Sequence, residues 1–423
     1  MIWHVFVTRL LQPVSLLLKA QYNAYKEFHE HLCNKWMMMV TKSLQLVVLL
    51  VCCLTIITIK CANATQNPNK YSVNPTIVHS AVSKGAVCLD GSPPAYYFEP
   101  GFGDGAENWI VHLSGGAWCM NVTNCQDRAT TSNGSSKKMA QLDFQGIHSK
   151  NESQNPDFYN WNKVLVAYCD GGSFIGDSEY IDPTNNSTKN LQFRGQKIFY
   201  AVLEEVLEKG LKNAKNAILA GSSAGGYPAI LYCDYFRDSL PIKSRVKCLV
   251  DSGYFVHFKN PVLERFWSWR FGGVAALQVY TTIQTCLYAE NIQEYTKTPF
   301  FLYMSAFDNI ETQYTLGDEK YTTIDEGKGS ACLNASLREM RSDFLNAIPK
   351  GNDPKHRGVF IDAMHHHTSL MGRWSFEVAL EINNVLAPIA FADWYFDRKY
   401  RYLIDEIHTM PVQNTFKNVT YVH

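Results

Sequence analysis

The stretch Ala217-Ile218-Leu219-Ala220-Gly221-Ser222-Ser223-Ala224-Gly225-Gly226 decides how the rest of the chain is understood. It opens as a short apolar strand run and leads into residues 228–236, which read as a helix closed by the polar, proline-ended segment 238–241. Between them Gly221-Ser222-Ser223-Ala224-Gly225 has the form G-x-S-x-G, and a strand before with a helix after is the setting of a nucleophile elbow. In so tight a turn, glycines two residues either side of the serine remove Cβ atoms that would collide. The serine oxygen then stands at a helix N-terminus, with the amide of Ala224 aimed at a developing oxyanion. A plain Gly/Ser turn is the simpler alternative. The elements on both sides favour Ser223 as a nucleophile.

Outward from this point the runs alternate in type. Residues 109–113, 163–168, 246–250 and 300–305 read as buried strands, and 358–361 is strand-like. Residues 198–211 carry Ile198, Val202, Leu203, Val206 and Leu207 at helical spacing, and further helices are expected near 333–348 and 376–386. Strand alternating with helix predicts an α/β fold, a mainly parallel sheet flanked by helices on both faces. A length of 423 residues suggests about three domains. With no internal repeat or low-complexity tract, residues 65–423 read instead as a single domain, of which 65–90 are a lead-in segment.

A serine of ordinary acidity needs a base, and the base needs an orienting acid. In hydrolases built on such an elbow the chain order is serine, acid, histidine. Asp308 follows the strand 300–305 and is the expected acid; Asp251, also just past a strand run, is its rival, and Glu311 a weaker one. His365-His366-His367 follows the strand-like 358–361 and supplies the base, whereas His257 and His356 read as surface or packing residues. A metal site is not expected from the three-histidine run, because adjacent side chains diverge and no carboxylate or cysteine set completes it. No cofactor is implied. Ser114-Gly115-Gly116-Ala117-Trp118-Cys119 follows the first long strand, where the second oxyanion amide of such enzymes arises. A β-turn explains it equally well.

Composition bounds the setting. Lys+Arg 39 balance Asp+Glu 39, so no basic field exists to hold nucleic acid or an anionic membrane. The apolar run 44–59 spans about 24 Å as a helix, short of the ~30 Å hydrocarbon core. Lys42 before it and Ala62-Asn63-Ala64 after it describe a secretory signal cleaved after Ala64, with Met37-Met38-Met39 as an alternative start. Retained, the same run would serve as a membrane anchor. Beyond it stand eight cysteines, Cys88, Cys119, Cys125, Cys169, Cys233, Cys248, Cys286 and Cys332, none of them in a C-x-x-C. An even number in an exported chain predicts disulfides rather than zinc or redox chemistry. Cys119 and Cys125 are near enough in sequence to pair. Sequons at Asn121, Asn133, Asn151, Asn185, Asn186, Asn334 and Asn418 predict a glycoprotein.

Taken in order, several segments resemble the pectin acetylesterase and Notum family of carboxylesterases. They are His112-Leu113-Ser114-Gly115-Gly116-Ala117-Trp118-Cys119, Tyr168-Cys169-Asp170-Gly171-Gly172-Ser173-Phe174 and Phe193-Arg194-Gly195. The elbow follows, then Asp251-Ser252-Gly253-Tyr254-Phe255, Thr298-Pro299 leading to Asp308, and Asp393-Trp394-Tyr395-Phe396-Asp397-Arg398. The resemblance implies a Ser-His-Asp esterase on a modified α/β-hydrolase fold, with Ser223 as nucleophile and Asp308 as acid. It places the base on His367, with His366 as rival, and the oxyanion amides on Gly116 and Ala117, joined by Ala224. It also implies disulfides Cys88–Cys169, Cys119–Cys125 and Cys233–Cys248, leaving Cys286 with Cys332. The chain departs from the plant branch at Ser222, where plant members carry cysteine, and at Met364 and Thr368, where they place cysteines beside the histidine.

Three functions follow as expectations. The first is a secreted, monomeric hydrolase that removes acetyl groups from polysaccharide. The second keeps the triad but deacylates a lipid-modified protein, with Phe258, Phe266, Trp267, Trp269 and Phe271 as candidate walls of an acyl pocket. The third is a non-catalytic carbohydrate-binding ectodomain.

Overall fold

Strands covered on both faces must be apolar throughout, and the central runs of this chain are. The computed structural model describes residues 71–184, 186–278, 284–317, 324, 330–374 and 380–412. The segment 1–64, with its apolar run and A-x-A site, and the sequons at Asn185 and Asn418 lie outside them.

Nine strands form the main sheet: β1 (Pro75–Ile77), β2 (Ala95–Glu99), β3 (Asn108–Leu113), β4 (Asn162–Val166), β5 (Asn216–Ser222), β6 (Arg245–Asp251), β7 (Phe300–Ser305), β8 (Arg357–Asp362) and β9 (Tyr402–Ile404). Their order is β9-β8-β7-β6-β5-β3-β4-β2-β1. The strands from β4 to β9 across the sheet run parallel, while β2 is antiparallel to both β4 and β1. The result is a modified α/β-hydrolase fold with a mixed, mostly parallel sheet. Alternation sorts the strand side chains: Ala217, Leu219, Cys248 and Val250 enter one apolar layer, Ile218, Ala220 and Leu249 the other.

Among the described residues eight α-helices surround the sheet: α1 (Val122–Ala129), α2 (Gly195–Glu208), α3 (Gly226–Leu231), α4 (Cys233–Asp238), α5 (Pro261–Leu277), α6 (Asn309–Leu316), α7 (Ala331–Ala347) and α8 (Ala387–Tyr395). Buried residues of α2, α3, α5 and α7 share the first layer, and those of α8 the second, with Phe158, Trp161 and Trp374. Helix starts follow capping chemistry. Asn260 caps α5 ahead of Pro261, and Ser330 caps α7.

Two expected helices differ. The run 228–236 is two helices, α3 and α4, interrupted at Tyr232. The helix expected near 376–386 is not found in its described part. Glu381–Ile382 and Val385–Leu386 pair as a hairpin, because Asn383 and Asn384 take the left-handed backbone that a two-residue hairpin turn demands. Among the described residues no helix is long and apolar enough to cross a membrane.

Three of the expected disulfides are present, Cys88–Cys169, Cys119–Cys125 and Cys233–Cys248, each between fully buried sulfurs. The fourth is not. Cys286 and Cys332 are exposed free thiols, one in the turn Gln284–Leu287 and one in the first turn of α7, with no shared interior to hold them together.

Candidate active site

The elbow is set by β5. Its last residue is Ser222, and Ser223 then adopts φ 54° before α3 begins at Gly226. A Cβ on Gly221 would lie 1.9 Å from the Gly225 carbonyl oxygen, so only glycine permits this return. Ser223 thereby emerges half-buried at the C-terminal end of the sheet.

Three loops at that end converge. His367 follows β8, and its Nε2 lies 2.7 Å from Ser223 Oγ. Its Nδ1 lies 2.7 Å from Asp308 Oδ2, and Asp308 follows β7. The other oxygen of Asp308 caps α6, accepting from the amides of Ile310 and Glu311 at 3.0 and 3.1 Å. One carboxylate thus fixes a helix start and a histidine together. Burial works against a charged His367, but the charge and hydrogen bond of Asp308, assisted by Asp251, hold its basicity above the ordinary value.

The rivals have other partners. His366 is fully buried, with Nε2 3.2 Å from both oxygens of Asp362. His365 Nε2 meets Thr312 Oγ1 at 3.0 Å, so the three neighbouring rings do diverge. Glu311 is buried beside Asp308, and burial together with that charge drives its carboxyl well up. Asp251 instead meets Ser222, whose hydroxyl donates to Asp251 Oδ2 at 2.7 Å. Ser222 Oγ also lies 2.8 Å from His112 Nε2, giving a second serine, histidine and aspartate in one hydrogen-bonded set.

The loop expected to supply oxyanion amides is buttressed from behind. Arg128 donates to the Gly116 carbonyl at 2.6 Å, and the Tyr168 hydroxyl to the Ala117 carbonyl at 2.6 Å. A trans peptide points its carbonyl and its next amide in opposite directions, so the Arg128 bond also fixes the Ala117 amide. Ala117 itself sits at φ 53°. Gly115 approaches the nucleophile so closely that a Cβ there would lie 2.6 Å from Ser223 Cβ. Ser173 Oγ accepts from Trp118 Nε1 and donates to the Ala224 carbonyl, tying the loop to the elbow. The roles of Tyr168 and Ser173 carry no sequence signal beyond their place in a motif, and that of Arg128 carries none.

A cavity of about 530 Å³ opens on this constellation. Gly115, Gly116, Ala117, Ser223 and His367 line its floor. Its lining also includes the apolar or aromatic Tyr97, Met139, Leu142, Leu165, Ala167 and Met371 and the polar Ser132, Asn133, Lys138, Gln141 and Gln145. Asn133, a candidate glycan acceptor, thus belongs to the cavity; Asn121 and Asn186 are exposed, Asn151 and Asn334 half-buried. The aromatic residues expected as an acyl pocket do not line it. Phe258, Trp267 and Phe271 are core, and Trp269 is exposed on the surface. A hydrogen-bonded serine, histidine and aspartate at a strand-turn-helix beside such a cavity is the equipment of a carboxylic ester hydrolase, and the chain is one.

Comparison with known proteins agrees. The sequence profile of the family described as Pectinacetylesterase matches residues 66–417. Pectin acetylesterase 7 of Arabidopsis thaliana is 38% identical over 355 residues, covering 78% of this chain and 89% of that protein. The palmitoleoyl-protein carboxylesterase NOTUM of Mus musculus is 33% identical over 193 residues, 43% of this chain and 36% of that protein. The structure of the Wnt deacylase Notum from Drosophila superposes with a TM-score of 0.66 at 22% identity, over 81% of this chain and 98% of that one, a likeness of fold.

Proposed function

Because the chain belongs to the pectinacetylesterase family, we propose that it hydrolyses acetyl esters of extracellular polysaccharide, with Ser223, His367 and Asp308 as its triad. The observation that carries this reading is the hydrogen-bonded Ser223–His367–Asp308 set opening on a cavity whose lining includes Ser132, Asn133, Gln141 and Gln145, side chains able to bond sugar hydroxyls. Ser223 Oγ attacks the acyl carbon while His367 Nε2 takes its proton, and Asp308 stabilises the imidazolium. The amides of Gly116, Ala117 and Ala224 receive the oxyanion. His367 returns the proton to the departing sugar hydroxyl. Water then repeats the sequence on the acyl-enzyme and releases acetate.

Among the described residues no carboxylate lines the cavity, and Lys138 is exposed in its lining, which suits a polymer bearing acidic sugars. The buried disulfides support export through an oxidising compartment.

The apolar part of the lining, with Met139, Leu142, Leu165 and Met371, favours a second reading, deacylation of a lipid-modified secreted protein. Turnover of p-nitrophenyl acetate and octanoate, with mass spectrometry of products from acetylated homogalacturonan, separates the two. The proposal expects preference for acetate and release of acetate from the polymer, with Ser223→Ala lowering both by at least about 10⁴-fold. Strong preference for octanoate with an untouched polymer overturns it.

A further inference from the structure

The second set of serine, histidine and aspartate is ordered differently from a triad. His112 does not reach Asp251; Ser222 stands between them. Asp251 accepts from the Ser222 hydroxyl and from the amides of Ser369, at 2.9 Å, and Leu370, at 3.1 Å, so it faces donors and acts as a carboxylate. The single Ser222 proton is committed to Asp251, and His112 Nε2 must therefore carry the hydrogen of the next bond. His112 Nδ1 is then an acceptor and takes its hydrogen from His148 Nε2 at 2.8 Å. His148 Nδ1 ends the chain without a partner among the described residues. Burial lowers His112 to about 3 and His148 well below its ordinary value, consistent with the one proton per ring that this order assigns. A histidine that donates to a serine cannot relieve it of a proton, so Ser222 is not activated as a nucleophile.

The far end of this chain meets the catalytic loop. Ser252 Oγ accepts from the Thr368 amide at 3.0 Å, and Asp251 holds the next two amides. The end of β6 therefore grips three successive amides immediately after His367. Thr368 is held at φ 53°, a backbone that a β-branched residue adopts only under constraint. Asp251 is itself fixed by register, as the Cα partner of Ser222 on β5.

We propose that Asp251, oriented by Ser222 and the His112–His148 pair, is a positioning residue that clamps the turn 368–370 and so delivers His367 to Ser223. Its negative charge also favours the imidazolium that forms during turnover. His367 meets Asp308 and Ser223 directly and feels the charge of Asp251 from β6; Glu311 on α6 acts on Asp308, and Asp362 at the end of β8 is paired with His366. Tyr303 faces Asp251 from β7, with Arg373 beyond it.

This rests on the Ser223–His367 reading, and the test keeps the two apart. Steady-state hydrolysis of p-nitrophenyl acetate by the full chain is measured against pH for Asp251→Asn, Ser222→Ala, Ser222→Cys and Ser223→Ala. Asp251→Asn is expected to lower kcat about 10- to 100-fold with little change in KM, and to move the acid limb of kcat/KM to lower pH, since a lost negative charge makes His367 harder to protonate. Ser222→Ala should shift the limb in the same direction with a smaller loss, and Ser222→Cys, which keeps a donor, should restore most of it. An acid limb unchanged in a folded Asp251→Asn enzyme overturns the proposal. Should that variant not fold, a Ser222→Ala enzyme equal to the parent in kcat and pH profile overturns it. Activity surviving Ser223→Ala would instead remove the triad reading beneath it.

Discussion

Asp308 performs two tasks with its two oxygens, and replacing one atom separates them. Asp308→Asn keeps an oxygen to cap α6 but puts an uncharged amide opposite His367 Nδ1. We expect kcat to fall by about 10⁴-fold with little change in stability, as for a triad whose histidine is left in the wrong tautomer. The residual activity should change its pH dependence in a defined direction. As the proposed base His367 must be neutral, and Asp308 chiefly holds its basicity above the ordinary value against burial, so the parent's activity is expected to rise with pH above the usual imidazole range. Without the carboxylate the rise should move to lower pH, as pH–rate profiles on p-nitrophenyl acetate would show. At this scale the sequence was informative where chemistry is local. Ser223 stands in its own motif, and Asp308 and His367 each follow a strand at the edge where active sites gather. Asp251 met the same criterion and was a rival for that reason. What separates the two aspartates is which loop leans over each, and that depends on contacts 59 residues away for Asp308 and 118 for Asp251.

The elbow is an element whose geometry leaves little freedom. Gly221→Ala would drive a methyl into the Gly225 carbonyl, and the strand and helix on either side have little room to retreat, since Ala217–Ala220 and Gly226–Ile230 are buried. We expect a loss of about 3 kcal/mol or more in denaturant unfolding, with activity falling beyond the folded fraction because Ser223 is displaced. Elements buried on both faces were legible, as continuous apolar runs: β3 to β8 begin and end within two residues of their expected limits. Those that rely on neighbours were not. Pro75–Ile77 and Tyr402–Ile404 are three-residue edge strands with half-buried side chains, and Ala95–Glu99 lies where no alternation of type announced it. The hairpin at Asn383-Asn384 was hidden by flanking residues that also suit a helix, although two adjacent asparagines are a turn signal in themselves.

Across the whole molecule the disulfides close loops of very different length. Cys88 and Cys169 are 81 residues apart, Cys119 and Cys125 only 6. Chain entropy assigns the long closure about 4–5 kcal/mol and the short one about 2 kcal/mol. Paired alanine substitutions followed by urea unfolding should reproduce that ranking; equal losses would mean that packing around the sulfurs, rather than loop closure, governs their effect. The two half-cystines of the long bridge could be read as bridged only through resemblance, because eight cysteines permit too many pairings for spacing to choose. The parallel sheet also gives the molecule two unlike rims. Asp251 ends β6, and Ser223, Asp308 and His367 follow the C-terminal ends of β5, β7 and β8, while the turn entering β6 from the opposite side carries Ile242, 91% exposed. Foreign sequence grafted into that turn, or a linker fastening the enzyme to a solid support there, would leave the mouth of the cavity facing outward and free to meet its ester substrate.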